Sequence, residues 1–175
     1  MLDSGVSDAR RLRFERLVAP WREDLYRYAF WLSRNPDLAE DVVQDAMLRA
    51  FRSLDSLQDE DSVKPWLLTI VRREHARVYE RKRLQTQDID ELNVAEAALI
   101  ATGNDTDVED MRRAIFQLEE GYREPLVLQV MFGLSTEEIA QAMSLKQGAV
   151  LTRLHRARKK LIEQVRPGLD VVPVE

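Results

Sequence analysis

The sequence contains no cysteine, which excludes disulfide bonds, thiolate metal sites and thiol redox sensing within this chain. Glycine and proline are scarce, with six of each. Long segments are instead rich in Leu, Ala, Arg, Glu and Gln, a composition that favours helices over strands. No apolar run approaches the roughly 20 residues of a membrane-spanning helix, and the first residues lack the apolar core of a secretory signal. These absences predict an all-α cytoplasmic protein without membrane insertion.

Charge is distributed unevenly along the 175 residues. Residues 1–83 carry 16 basic and 15 acidic side chains, residues 84–110 carry no basic and 8 acidic, and residues 111–175 carry 10 basic and 8 acidic. The middle segment also lacks aromatic residues and contains a loop signal at Gly103. This pattern predicts two small helical domains joined by a flexible acidic linker.

We place the first domain at 10–83, the linker at 84–106 and the second domain at 107–166. Phosphate groups repel an acidic linker, so it would not compete with the flanking domains for a nucleic acid. A linker that is merely solvated has the same composition, and both interpretations stay open at this point.

Residues 133–165 show the pattern of a helix-turn-helix. Gly133 is suited to end one helix, and Ser135 with Glu138 forms a capping box for a helix at about 136–143. After a short break, the stretch GAVLTRLHRARKK predicts a longer helix with one apolar stripe and a cationic exposed face. An ordinary helical hairpin has the same outline, and a basic face is often only solvated. Capping, turn length and charge together favour DNA binding.

The N-terminal part predicts a helix interrupted near Pro20, followed by a helix that Asn35 caps. The first turns of the helix that Asn35 caps are rich in acidic residues. The helix dipole alone is enough to explain this placement. Its exposed face also carries the apolar Leu48 among the acids, which is typical of a protein-binding surface. Both interpretations remain open on physical grounds.

A third N-terminal helix follows, and its second half, up to Arg83, is strongly basic, with His75 and Tyr79 interleaved. Arginines that meet phosphates and aromatic rings that stack on bases suit single-stranded nucleic acid. A cationic helix C-terminus is also favoured by the helix dipole. Six basic groups in twelve residues exceed what that dipole requires, so nucleic-acid binding is the favoured interpretation.

Three motifs in this order resemble one family. They are NPDLAEDVVQDAMLRAFRSL, PWLLTIVRREHARVYERKR, and YREPLVLQVMFGLSTEEIAQAM with GAVLTRLHRARKKL. The chain resembles bacterial RNA polymerase sigma factors of the extracytoplasmic-function (ECF) group over about residues 10–83 and 107–165. The resemblance implies sigma domain 2, a bundle of three or four helices, and sigma domain 4, a helix-turn-helix. It also implies an alternative sigma factor that binds core RNA polymerase and directs promoter-specific initiation of transcription.

The resemblance further implies a role for each helix. The helix at 37–51 matches the segment that docks on the β′ clamp helices of the polymerase, with candidate contacts Asp37, Glu40, Asp41, Gln44, Asp45 and Leu48. The loop 58–62 and the helix 64–83 match the part that captures the opened minus-ten element, with candidates Arg72, Arg73, Arg77, Tyr79, Arg81 and Lys82. The helix 148–160 matches the reader of the minus-35 duplex, with candidates Ala149, Leu151, Thr152, Arg153, His155, Arg156 and Lys160.

Further partners are implied in the same way. Domain 4 is implied to contact the β flap, and an anti-sigma factor is implied to cover the surfaces of both domains. Promoter DNA is the implied nucleic acid, and the protein is expected to be nucleoid-associated when active. Arg73 stands where family members commonly carry Asn, and Leu151 replaces a cation, so the promoter specificity is expected to be unusual.

Two other classes of function fit the sequence less well. A stand-alone helix-turn-helix regulator would use 107–165 for DNA and 10–83 for sensing or dimerisation, but a sensor has no need of the basic third helix. An enzyme built on Glu40, Asp41 and Asp45 lacks a partner histidine and a metal-ligand set, and those acids lie on an exposed helix start. No catalytic residue, cofactor or metal is expected.

Overall fold

The computed structural model describes residues 3–85 and 106–165, with side chains for 8–81 and 108–165. Within these ranges no strand occurs, and the predicted all-α fold is confirmed. The chain divides into two compact units, residues 1–89 and 90–175. The predicted linker lies almost entirely outside the described residues, so the proposed domain boundaries stay predictions.

The described part of the first unit contains four α-helices. They are α1, Asp3–Leu17; α2, Arg22–Ser33; α3, Pro36–Arg52; and α4, Val63–Gln85. A short 3-10 turn, Ala19–Trp21, contains Pro20 and separates α1 from α2, which confirms the predicted interruption. Two further 3-10 turns, Leu54–Ser56 and Glu60–Ser62, lie in the connection between α3 and α4.

Helices α2, α3 and α4 form the core of the first unit. Each contributes apolar side chains three, four and seven residues apart, the spacing that places them on one face of a helix. The fully buried residues include Leu25, Tyr28, Ala29, Val42, Val43, Ala46, Ala50, Leu67 and Val71. Burial of each large side chain stabilises the unit by roughly 1.5–3 kcal/mol. Trp66, which the periodicity assigns to the core, lies in the first turn of α4 and is only half-buried.

The start of α3 is fixed by its cap. The Asn35 side chain accepts a hydrogen bond from the Leu38 backbone N–H at 2.8 Å, and Pro36 occupies the first helical position. Arg34 precedes the cap in the left-handed region, with φ 55°. The cap therefore sets the rotational position of every acidic side chain that follows on α3.

The described part of the second unit also contains four α-helices. They are α5, Thr106–Gln117; α6, Glu120–Val130; α7, Thr136–Met143; and α8, Gln147–Val165. Gly133 adopts φ 64° before α7, and the Ser135–Glu138 capping box is present in both directions. Helix α7, the three-residue break and α8 form the predicted helix-turn-helix. Leu154 and Ala157 of the α8 stripe are buried, whereas Val165 at its end is exposed.

Helix α6 contains a proline in its interior. It begins at Glu120, and Pro125 lies inside the helix. The Glu119 carbonyl accepts hydrogen bonds from Tyr122 and Arg123, both at 2.9 Å, so a full turn forms before the proline. The Arg123 side chain, 3% exposed, donates to the carbonyls of Phe116 and Leu118. This guanidinium satisfies carbonyls at the end of α5 and so ties α5 to α6.

Candidate functional site

The acidic candidates of α3 form one exposed face. Asp37, Glu40, Asp41 and Gln44 are exposed and Asp45 is half-buried, while Leu48 extends the face with an apolar side chain that is 52% exposed. Glu40 forms an ion pair with Arg22 of α2, and Asp45 forms one with Arg81 of α4 at 3.4 Å. The structure thus brings these six residues together on one side of α3, with two of them already bonded to neighbouring helices.

The basic candidates of α4 occupy two faces rather than one. Arg73, Arg77 and Arg81 recur every four residues and are exposed, whereas Arg72 and Tyr79 lie about a third of a turn away. Tyr79 is 55% exposed, and its ring centroid lies 6.0 Å from that of the buried His75. The side chain of the sixth candidate, Lys82, lies outside the described residues. The exposed arginines and the exposed Tyr79 ring therefore lie on adjacent sides of α4.

A groove between α3 and α4 joins the two candidate surfaces. This open groove has a volume of about 400 Å³ and is lined by Asp45, Leu48, Arg49, Arg52, Glu74, Arg77 and Arg81. At its base Glu74, 7% exposed, accepts a hydrogen bond from Arg77 at 2.7 Å and lies 3.4 Å from Arg49 Nε. Arg77 and Arg81, expected to contact nucleic acid, are thus held by carboxylates in the free chain.

Sequence reasoning missed Glu74, Arg49 and Arg52 as part of this surface. A signal for Glu74 was present, because it continues the buried spacing of Leu67, Val71 and Val78 along α4. A carboxylate at a core position implies partners of opposite charge. Which arginines supply them depends on how α3 packs against α4, and the sequence of α4 alone does not contain that information.

The cationic helix α8 presents an outward face and a face turned to α6. Thr152, His155 and Arg156 are exposed, and Leu151 beside them is 52% exposed. The Thr152 hydroxyl donates to the Gly148 carbonyl at 2.9 Å. Arg156 has no ion-pair partner among the described residues of its unit, so its guanidinium is available to a ligand.

The other candidates of α8 lie towards the start of α6. Lys160 Nζ is 3.3 Å from a Glu119 carboxylate oxygen and 5.2 Å from the centroid of the Tyr122 ring. Arg153 is half-buried and lies beside Gly121 of α6. Its Nη1 would be 3.8 Å from a Cβ atom if Gly121 carried one. Ala149 is half-buried at the edge of the same side. The seven α8 candidates therefore do not form a single surface.

Neither 3–85 nor 106–165 contains a helix long and apolar enough to cross a membrane. No group of three or more His, Cys, Asp or Glu side chains in those ranges is placed to hold a metal ion.

Comparison with known proteins identifies both units. Residues 17–85 match the family model for Sigma-70 region 2, and residues 109–161 match that for Sigma-70, region 4. The chain is 33% identical over 139 residues to the ECF RNA polymerase sigma factor EcfG of Rhodopseudomonas palustris (strain TIE-1), covering 78% of this chain and 76% of that one. It is 31% identical over 140 residues to the ECF RNA polymerase sigma-E factor of Escherichia coli (strain K12), covering 73% of each.

A solved structure with the same fold is the sigma factor RpoE of Bartonella quintana, crystallised in complex with the anti-sigma factor NepR. The TM-score is 0.74 at 27% identity, over 90% of this chain and 99% of that one. Because both units match sigma regions, the alternative of a stand-alone helix-turn-helix regulator is not favoured.

Proposed function

Because the chain belongs to the ECF RNA polymerase sigma factors, we propose that its separate surfaces divide the work of an alternative sigma factor. Residues 10–83 bind core RNA polymerase and the minus-ten element, and residues 107–166 bind the minus-35 element. The acidic linker 84–106 joins them. The observation that carries the proposal is that α3 carries an exposed acidic face and that α4, which packs beside it, carries exposed cationic side chains.

Helix α3 is the docking surface for the polymerase. Asp37, Glu40, Asp41, Gln44 and Asp45 offer carboxylate and amide oxygens to basic side chains of the β′ clamp helices. Leu48 adds an exposed apolar contact at the end of the same face. Charge complementarity of this kind sets orientation and the rate of association.

Helix α4 captures the opened strand of the minus-ten element. Arg72, Arg73, Arg77, Arg81 and Lys82 meet its phosphates, and Tyr79 offers an exposed ring on which an unpaired base stacks. Removal of a base from the duplex stack costs a few kcal/mol, which these contacts must offset. The Asp45–Arg81 and Glu74–Arg77 pairs hold two of the arginines ready at the edge of the groove.

Helix α8 reads the minus-35 duplex. Arg156 is the leading candidate for a base contact, because bidentate arginine contacts with guanine are the commonest specific contacts in the major groove. Thr152, His155 and Leu151 lie on the same outward side, where the Leu151 side chain suits a thymine methyl group. Ala149, Arg153 and Lys160 border this surface and suit contacts to the DNA backbone.

A protein inhibitor is the further partner that we propose. The related sigma factor of Bartonella quintana forms a complex with an anti-sigma factor, and an inhibitor of the same kind would cover the exposed faces of α3, α4 and α8. The second unit also contacts the β flap. We propose that the protein acts in the cytoplasm, nucleoid-associated when active, without a catalytic site of its own.

Run-off transcription on a promoter library tests the proposal. The purified chain is combined with core RNA polymerase, and transcripts from a library randomised around both elements are sequenced. We expect transcription only when the chain is added, with one enriched sequence upstream and one downstream. Core polymerase that neither binds the chain nor gains any promoter preference from it would contradict the proposal.

A further inference from the structure

Helix α1 carries an arginine at every third position from Arg10 to Arg16, and all three contact the connection between α3 and α4. Arg10 forms an ion pair with Asp55. Arg13 donates to the Leu54 carbonyl at 3.4 Å and to the Leu57 carbonyl at 3.0 Å. Arg16 forms an ion pair with Glu60 at 2.8 Å. We call this connection, residues 54–62, the α3–α4 loop.

Arg13 is the centre of these contacts. Its planar guanidinium bonds two backbone carbonyls three residues apart, and its Nε lies 3.7 Å from the Glu60 carboxylate. Leu54 and Leu57, whose carbonyls it bonds, are themselves buried. The N–H donors of a guanidinium are fixed in one plane, so they can bond two acceptors at once. The ammonium group of a lysine cannot bond both acceptors in this geometry. The backbone of the α3–α4 loop is therefore attached to α1 at several points.

The side chains of residues 58–61 of the loop fall into two pairs, one bonded within the unit and one exposed to solvent. Asp59 accepts hydrogen bonds from the Asp61 backbone N–H and the Ser62 hydroxyl, both at 3.0 Å, and Glu60 accepts from Arg16. These two acids hold the loop in shape. Gln58 and Asp61 are exposed, and their side chains have no hydrogen-bond partner in the described part of the unit. The loop thus presents one amide and one carboxylate on a fixed backbone.

We propose that Arg13, with Arg10 and Arg16, are positioning residues that fix the α3–α4 loop so that Gln58 and Asp61 read an unpaired promoter base. This inference rests on the proposed function and on the resemblance, which matches the loop 58–62 to the part that captures the opened minus-ten element. An amide offers a donor and an acceptor to a base edge, and a carboxylate accepts from an exocyclic amine. A loop held in one conformation binds a base without first losing conformational freedom.

Arg13→Ala is the principal test, with Arg11→Ala as the matched control. Arg11 lies on the same helix but, among the residues that the structure describes, pairs only with Asp8 and Glu15 of α1 itself. Each variant is combined with core RNA polymerase, and open-complex formation is measured on promoters that carry each of the four bases in turn at the positions of the minus-ten element.

We expect Arg13→Ala to bind core polymerase as the wild type does, and to form open complexes about tenfold less well on the preferred promoter. The preference for one base over the other three should shrink at one position of the minus-ten element. Arg11→Ala should stay within about twofold of wild type in both respects. A uniform loss of activity with unchanged base preference would overturn the inference, because it would indicate a purely structural role.

A double-mutant cycle on Arg16 and Glu60 keeps the test informative if Arg13→Ala fails to fold. Both side chains are largely exposed, so their replacement by alanine leaves the core intact. We expect each single variant to lose base preference and the double variant to lose no more than Glu60→Ala alone, since Arg16 reaches the loop through Glu60 whereas Glu60 also lies 3.7 Å from Arg13. Additive losses, or singles identical to wild type, would overturn the inference. If the wild-type chain itself fails to bind core polymerase, the proposed function is wrong and this inference fails with it.

Discussion

Glu74 lies on the buried side of α4, where Leu67, Val71 and Val78 contribute apolar side chains. It is nevertheless a carboxylate, and it bonds one arginine from its own helix and lies within ion-pair distance of another from α3. A buried charge is tolerated only where opposite charges and hydrogen bonds compensate for the loss of water. Glu74 therefore links the helix proposed to bind polymerase with the helix proposed to bind DNA.

Replacement of Glu74 by glutamine should destabilise the first unit. Glutamine keeps the shape but loses the charge-assisted hydrogen bonds to Arg77 and Arg49, and we expect the free energy of unfolding to fall by about 1–2 kcal/mol. All three tryptophans, Trp21, Trp31 and Trp66, belong to the first unit, so tryptophan fluorescence in a denaturant titration reports on that unit alone. Glu80→Gln, at an exposed position of α4, is the control, and an equal effect of both changes would contradict this account of Glu74.

Arg156 provides the corresponding test of the second unit. In the polymerase complex, Arg156→Ala should weaken binding to a duplex with the minus-35 element by about 1–3 kcal/mol if the contact is to a base. If it is to a phosphate, the slope of log affinity against log salt should fall by about 0.9. Arg158→Ala is the control, since Arg158 bonds Gln129 on another side of α8. Arg156→Ala with unchanged affinity and unchanged salt slope would remove Arg156 from the proposed site.

Helical spacing in the sequence predicts which side chains of the candidate surfaces are exposed. It does not predict which of them bond to side chains of other helices. The outward position of Arg156 and the exposure of Leu48 follow from helical spacing alone. The distribution of the α4 cations over two faces follows from the same spacing and could have been worked out. The bonds of Arg77 to Glu74, Arg81 to Asp45 and Lys160 to Glu119 could not, because each depends on tertiary packing.

At the scale of elements, helix ends encoded by local chemistry were predicted correctly. Asn35, Gly133 and the Ser135–Glu138 pair each act within a few residues of themselves, so their role can be deduced from the sequence. The start of α6 was not predicted, because it depends on Arg123, whose buried side chain bonds carbonyls at the end of α5. The contact of α1 with the α3–α4 loop was missed for the same reason: its partners are more than 40 residues apart.

Charge reversal on α3 tests that element as a docking surface. Asp41→Arg places a cation in the middle of the acidic face, where it would repel the basic groups expected on the polymerase, and like charges across an interface cost several kcal/mol. We expect the affinity for core polymerase to fall more than tenfold, measured by fluorescence anisotropy, with helix content unchanged by circular dichroism. Glu23→Arg, which makes the same charge change at an exposed position of α2, should bind normally. Equal affinities of the two variants would show that α3 is not the docking surface.

At the scale of the whole molecule, the net charge of −5 comes from residues 84–110. Residues 84–110 contain 8 acidic and no basic side chains, while the parts on either side are nearly neutral or slightly basic. A chain with two cationic surfaces would bind any duplex by release of counterions from the DNA. Acidic groups in the same chain oppose this binding, because their negative charge is repelled by the phosphates.

Neutralisation of the acidic segment should therefore increase non-specific DNA binding. The variant carries Asn or Gln at Asp88, Asp90, Glu91, Glu96 and Asp105, which brings the formal net charge from −5 to 0. We expect the affinity of the free chain for random-sequence duplex to rise several-fold at low salt and the difference to shrink as salt screens the charges. A control variant with serine at Thr86, Gln87, Asn93, Thr102 and Asn104 keeps all five acids. If the neutralised variant binds random duplex no better than this control at any salt concentration, the acidic segment has no electrostatic role and serves only as a connection.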